Sequence, residues 1–211
     1  MKNIIILTLL IIVSVVCGND CPPQIGFTGI VVTLSYGSNN QGFVESSYVS
    51  IDFLGGRLGI HYEIIANGQT VNAQVIEFAA NNTQYLITSD SNGGEMCFQY
   101  SGAQVPTGYP SNFVNIGDIN LGATQVEELQ LNNTVVLWDA AKCAPMSVSE
   151  GSFNSDQITL SNIYNFNNGV DETQLQLPVS CYSPSSFMGL HFINKKPLNI
   201  RLPYRVKYIL S

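Results

Sequence analysis

The side chains able to do chemistry in this chain are few and scattered. Cysteines stand at Cys17, Cys21, Cys97, Cys143 and Cys181, histidines at His61 and His191, and the single tryptophan at Trp138. Beyond the first twenty residues no two of the cysteines or histidines lie a few positions apart, the spacing at which zinc ligands come in pairs. There is no Gly-x-Ser-x-Gly elbow, no paired-histidine metal motif and no glycine-rich phosphate loop. His61 falls in an alternating apolar stretch, on its polar side with Glu63, where a solvated histidine is the simpler reading than a catalytic base. A Ser/His/Asp triad leaves no mark in sequence spacing. Glu127 and Glu128 are adjacent and point to different sides of a strand or helix, so they make a poor acid/base pair. The segment DSNGGE, Asp90 to Glu95, offers oxygen ligands for calcium. It lacks the length and terminal glutamate of an EF-hand loop and reads as a hairpin turn. The sequence therefore assigns no catalytic residue, no cofactor and no metal ligand, with calcium held by exposed carboxylates as the one ion its acidity favours.

What the cysteines do depends on the compartment, because oxidising lumens cross-link paired thiols and the cytosol does not. The chain opens with Lys2 and a nearly continuous apolar run from Ile4 to Val16, ending in Cys17-Gly18. One positive charge, an apolar core of about a dozen residues and small residues behind it form a secretory signal peptide over residues 1–18. The run is short of the roughly 20 apolar residues that span a bilayer, so no transmembrane segment is expected after cleavage. A retained signal anchor and a lipidated Cys17 are the weaker readings. Four cysteines then remain, and an even set behind a leader predicts two disulfides in any of three arrangements. Asn81-Asn82-Thr83 and Asn132-Asn133-Thr134 are sequons that make Asn81 and Asn132 candidate glycan acceptors.

All 15 acidic residues lie between Asp20 and Glu172, a stretch whose only bases are Arg57 and Lys142. Such a body repels phosphate backbones, which excludes nucleic acid as a partner. It suits extracellular or luminal solubility and, more weakly, divalent cations. After Cys181 the composition inverts, with five of the eight basic residues and no acid. Residues 184–211 thus read as an atypical basic tail, disordered or foreign to the native protein, or else as a membrane-contact segment, since basic and aromatic residues suit an anionic lipid surface.

Positioning falls to β-strands. In RLGIHYEII, Leu58, Ile60, Tyr62 and Ile64 face one way and Arg57, His61 and Glu63 the other, the period-two pattern of a half-buried strand. Nine other segments behave alike: TGIVVTLSY, FVESSYVSIDF, VNAQVIEF, TQYLIT, EMCFQY, NTVVLWDA, PMSVSE, ITLSNIYNF and TQLQL. Clusters of asparagine and glycine, such as Asn67-Gly68, separate them and supply positive φ cheaply. About ten short strands predict one antiparallel sandwich or open barrel. TQVEELQL is expected to form a turn or two of helix.

These blocks together resemble the ependymin-related family of secreted glycoproteins. CPPQIGFTG is similar to that family's opening, YVSIDFLGGRLGIHYE to its paired early strands, and YLITSDSNGGEMCFQY to its hairpin leading into a cysteine. VVLWDAAKCAPMSVS and NFNNGVDETQLQLPVSC resemble its later strands, each reaching a cysteine. The resemblance covers about residues 19–183. A further cysteine pair of some relatives is absent, and the basic tail has no evident counterpart. What the resemblance implies is an all-β fold of two stacked, curved antiparallel sheets, a half-open, barrel-like sandwich similar to bacterial lipoprotein carriers. It implies the pairs Cys21–Cys143 and Cys97–Cys181, which would make Cys143 a staple worth roughly 4–5 kcal/mol by loop entropy. It also implies a non-enzymatic binder of a lipid or other hydrophobic ligand, with calcium dependence and homodimers as features of the family. The apolar pocket it implies would draw on Leu58, Ile60, Tyr62 and Ile64. The alternative is an extracellular calcium-binding glycoprotein of cell-matrix adhesion. Secretion, or delivery to the endosomal or lysosomal lumen, completes the expectation.

Overall fold

The computed structural model describes residues 21–37, 42–66, 68–89, 92–151 and 157–182. The leader, the basic tail with His191, and Asn67 and Asp90 of the expected turns lie outside them. The described residues form eleven strands: β1 (Gly26–Gly37), β2 (Phe43–Asp52), β3 (Arg57–Ala66), β4 (Gln69–Phe78), β5 (Thr83–Ser89), β6 (Glu95–Ser101), β7 (Val114–Leu121), β8 (Thr124–Leu131), β9 (Thr134–Asp139), β10 (Ala144–Glu150) and β11 (Gln157–Asn167). All belong to one antiparallel sheet in the order β6-β5-β4-β3-β2-β1-β11-β10-β9-β8-β7, which leaves β6 and β7 as its edges. Two meanders, β1 to β6 and β7 to β11, are thus fused where β1 pairs with β11. The fold is all-β, antiparallel and disulfide-stapled, and its two layers are halves of a single continuous sheet.

The local chemistry accounts for most boundaries. Asn132-Asn133 and Gly122-Ala123 close two-residue hairpins, with φ of 54° at Asn132 and 64° at Gly122; primed turns with positive φ match the twist of the strands they join. Three segments depart from the sequence reading. TQVEELQL is strand β8, not helix: Val126 and Leu129 are buried on opposite faces of the sheet, Leu129 in the inner core, and pairing on both sides by β7 and β9 outweighs the helix propensity of its glutamates. VNIGDINL, strand β7, had no alternation to reveal it, because an edge strand with mostly exposed side chains need not be amphipathic. TQLQL forms a 3-10 turn at Glu172–Leu175 rather than a strand.

The sheet has two faces with separate cores. The inner face carries Phe27, Val31, Val49, Ile51, Leu58, Ile60, Tyr62 and Val75 from the first meander with Leu129, Val136, Trp138, Val148 and Ile163 from the second, in one cluster. Strands β4 and β8 stand seven places apart in the order, so the sheet must curl for both to share that core. The outer face is covered in part by the strap 171–182. There Ile76, Ile87, Cys97 and Cys181 make a second core, with Leu177 packed on it.

The strap is anchored along its length. The Tyr48 hydroxyl donates to the Asp171 carboxylate at 3.1 Å, and the Asp171 amide donates to Ser50 Oγ at 2.9 Å. The Arg57 guanidinium bridges Asp52 and both carboxylate oxygens of Glu172, the latter at 2.8 Å each. Gly59 lies directly beneath, where a Cβ would stand 2.3 Å from the Gln174 carbonyl oxygen. Of the three arrangements open to four cysteines, the structure has Cys97–Cys181, closing the strap on β6, and Cys21–Cys143, closing the N-terminal segment on the turn after β9. Among the described residues no helix is long and apolar enough to cross a membrane.

Candidate ligand-binding face

The inner face changes character along its length. At one end five aromatic rings meet: Phe27 stacks on Phe166 at 5.3 Å and on Tyr109 at 5.9 Å, while Tyr109 meets Phe53 and Trp138 edge-on at 5.5 and 5.2 Å. Phe166 reaches this face because a bulge shifts the β1–β11 register between Thr28 and Ile30, opposite Asn165 with its φ of 52°. Tyr109 belongs to the segment joining β6 to β7. That segment is held down by the buried carboxylate of Glu77, which accepts from the Gln104 amide at 2.7 Å and from the Gln84 side chain at 3.1 Å.

The middle of the face is aliphatic, and it holds the residues the sequence singled out. Leu58, Ile60 and Tyr62 are buried together on the inner side of β3, and Ile64, partly buried, packs beside them. His61 and Glu63 are exposed on the opposite side. Tyr62 is wholly buried, yet its hydroxyl has no hydrogen-bond partner among the described residues, and the same holds for the Trp138 indole N–H. Burial first, and the negative charge of Glu45 second, push the Tyr62 phenol up to about 12.

Beyond Tyr62 the face turns polar. Thr33 and Ser35 of β1, Glu45 and Ser47 of β2, and Thr159 and Ser161 of β11 all point inward and are buried. Their order is set by register: Tyr62 lies opposite Ser47, Glu45 opposite Thr33, Thr33 opposite Ser161, and Ser35 opposite Thr159. Thr33 and Ser161 share a hydrogen bond at 2.9 Å, Thr159 donates to Ser35 at 3.3 Å, and the Ser47 hydroxyl lies 3.2 Å from Glu45 Oε1. The same register turns the apolar partners outward. Ile65, Val44, Leu34 and Leu160 form a cross-strand row on the outer face, each 39–49 % exposed.

The sequence reading found the aliphatic middle and missed the polar end. The signal was present in FVESSYVSIDF: stepping back by twos from the buried Ile51 and Val49 reaches Ser47 and then Glu45. The expected surface sites fall elsewhere. Asn81 lies exposed in a short 3-10 turn after β4 and Asn132 exposed at the β8–β9 hairpin tip. Among the described residues no group of three or more histidine, cysteine, aspartate or glutamate side chains could hold a metal ion. Glu127 and Glu128, adjacent in β8, face opposite sides of the sheet.

Several known proteins are similar to the chain. An uncharacterized protein of Dictyostelium discoideum is 26 % identical over 157 residues, which are 70 % of this chain and 48 % of the relative, so the chain spans about half that protein's length. An uncharacterized conserved protein from Thermus thermophilus superposes over 75 % of this chain and 88 % of its own, with a TM-score of 0.49 and 11 % identity. A LolA superfamily protein from Nitrosomonas europaea covers 82 % of this chain and 96 % of its own, with a TM-score of 0.29 and 6 % identity. The model of the amoebozoan ependymin domain matches residues 25–203, through both meanders and the strap, and the chain therefore belongs to the ependymin family.

Proposed function

We propose that this protein is a non-enzymatic carrier or binder that holds an amphipathic, lipid-like ligand against the inner face of its curled sheet. The observation that carries this reading is the pair of orphaned polar groups there. A buried hydroxyl or indole N–H without a partner costs about 1–3 kcal/mol, and native proteins leave few of them. Tyr62 and Trp138 supply two, on the aliphatic and aromatic stretches of that face. A surface of that kind, with a few convergent polar groups, is the usual build of a small-molecule site. The two disulfides and the acidic body favour an oxidising compartment, either extracellular or the endosomal or lysosomal lumen, with glycans at Asn81 and Asn132.

The test is native mass spectrometry of protein purified without detergent from a secreting eukaryotic host, with solvent extraction of whatever it carries. The expected result is a bound lipid released on unfolding, or uptake of an added one. Protein that arrives empty, takes up no added lipid, and changes its mass or assembly only with calcium would overturn the carrier reading. That outcome would favour a calcium-dependent adhesion glycoprotein, for which the acidic surface and the two exposed sequons are the support.

A further inference from the structure

Independently of what the inner face holds, we infer that residues 187–193 of the basic tail dock on the exposed apolar row of the outer face, so that the tail continues the strap as a second cover of the sheet. Ile65, Val44, Leu34 and Leu160 lie side by side across β3, β2, β1 and β11, each 39–49 % exposed, and the next cross-strand pair along, Tyr36 and Ile158, is 81 and 51 % exposed. Exposed apolar residues scattered singly need no explanation, but a contiguous row marks an interaction surface. The row shares its face with the strap. Stepping by twos from Ser50 and Gly59, which meet the strap, leads through Tyr48 and His61, then Ser46 and Glu63, to Val44 and Ile65. The strap crosses that face nearer the other end of the strands and closes on β6 through Cys181, which leaves the row uncovered.

The tail lies outside the described residues, and reach, composition, charge and family extent all assign it to the row. Cys97 is in register with Ile87, Gln74 and His61, so Ile65 stands three strands over and four residues along, about 20 Å away, which an extended chain covers in about six residues. Counted from Cys181, that brings the chain to the row at Phe187, where the run FMGLHFI begins. Its large apolar side chains suit an apolar row. Lys195 and Lys196 follow directly, and the body they meet carries 15 acids against Arg57 and Lys142, with Glu63 exposed between strap and row. The ependymin match runs on to residue 203, well past Tyr182, so this stretch belongs to the domain and is not foreign to it. A second copy of the chain competes poorly for the row. A segment tethered by a short linker acts at an effective concentration on the order of millimolar, which a separate molecule does not reach.

Limited digestion with trypsin tests this, because a docked segment is cut only from its open state and the rate follows the population of that state. In the secreted full-length protein, its tail confirmed by intact mass, Lys195 should be cut at least about tenfold more slowly than in a synthetic peptide of residues 184–203. Two double variants should each bring the rate to within about threefold of the peptide: Leu34→Ser with Leu160→Ser, which spoils the middle of the row, and Phe187→Ser with Phe192→Ser, which spoils the segment. Circular dichroism and thermal melting establish that the row variant folds, and the tail variant alters no described residue. Cutting of the wild type at the peptide's rate would overturn docking and leave the tail open to a lipid surface. Protection that survives both variants would overturn the row as its seat. Protection that rises with protein concentration, together with a dimer in sedimentation that the row variant dissolves and the tail variant does not, would assign the row to a second copy and overturn the proposal as well.

Discussion

Replacing Gly59 with alanine tests whether the strap 171–182 is a fitted part of the fold. A Cβ at Gly59 would sit 2.3 Å from the Gln174 carbonyl oxygen and 3.2 Å from Leu175 Cδ2. The first distance is shorter than any real contact of that kind, so something has to move. If the strap stays, the added methyl overpacks the contact, which costs typically 1–3 kcal/mol. If the strap lifts, Leu175 comes out of a site where it is 3 % exposed, at about 1.5–3 kcal/mol, and the Tyr48 bond to Asp171 adds about 1 kcal/mol. The Arg57 pair with Glu172 is exposed and adds little. The molecule takes the cheaper route, so the loss should be about 1–3 kcal/mol, or a fall of about 2–12 °C in Tm. Urea unfolding followed by Trp138 fluorescence and by circular dichroism measures it, with coincident curves checking two-state behaviour. The fluorophore sits on β9, away from the strap, so a change reports global stability. A loss under about 0.5 kcal/mol would refute the reasoning, since only a strap that is not seated on β3 accommodates the methyl so cheaply.

Three further outcomes are expected. Replacing both Cys97 and Cys181 with alanine opens a loop of 84 residues and should lower stability by up to about 4.6 kcal/mol on the chain-entropy account, read from urea midpoints. Glu77→Leu strands the Gln104 amide and the Gln84 side chain that its carboxylate holds, and should cost about 2–4 kcal/mol, with hydrogen exchange rising first in residues 102–113. The pH dependence follows from Asp52, whose pKa burial alone would raise. The Gly55 amide and the Arg57 guanidinium outweigh burial and hold it below the ordinary carboxylate range, and Arg57 does the same for Glu172. Depressed folded-state values contribute stability above the unfolded pKa that is lost as pH falls through the folded one. Wild-type stability should therefore erode below about pH 4, and less so in Asp52→Asn.

How much of this was legible depended on what each residue had to satisfy. Leu58, Ile60, Tyr62 and Ile64 could be read because a central strand with one face in the core must alternate. β7 could not, because an edge strand meets no such demand. The polar end was hidden for a subtler reason. Register is fixed by Phe27, Val31, Val49 and Ile51, and it carries Thr33, Ser35, Glu45 and Ser47 inward whatever their polarity. A reading that sends apolar residues inside would put Leu34 and Val44 there instead, whereas both face out. Local pattern and global register disagree over these few residues, and such disagreement is expected where function rather than stability has chosen the side chain.

That disagreement yields a last prediction, in which stability and binding move in opposite directions at one residue. In an ordinary core, Tyr62→Phe would be neutral or harmful, because a buried hydroxyl normally has a partner to lose. Here the hydroxyl has none among the described residues, and the ring sits at 0 % exposure among aliphatic neighbours that phenylalanine would also satisfy. Removing the oxygen takes away a desolvation cost of about 1–3 kcal/mol and leaves a void smaller than a water molecule, so the ligand-free protein should gain up to about 1 kcal/mol. The measurement is urea unfolding of delipidated wild type and Tyr62→Phe, repeated with the bound ligand present. Ligand stabilises the folded state in proportion to its affinity, so the order of the two proteins should reverse when it is added. A loss of more than about 1 kcal/mol in the ligand-free variant would mean that Tyr62 serves the core. A gain in the ligand-free variant that reverses with ligand is the pattern expected where stability is given up for binding.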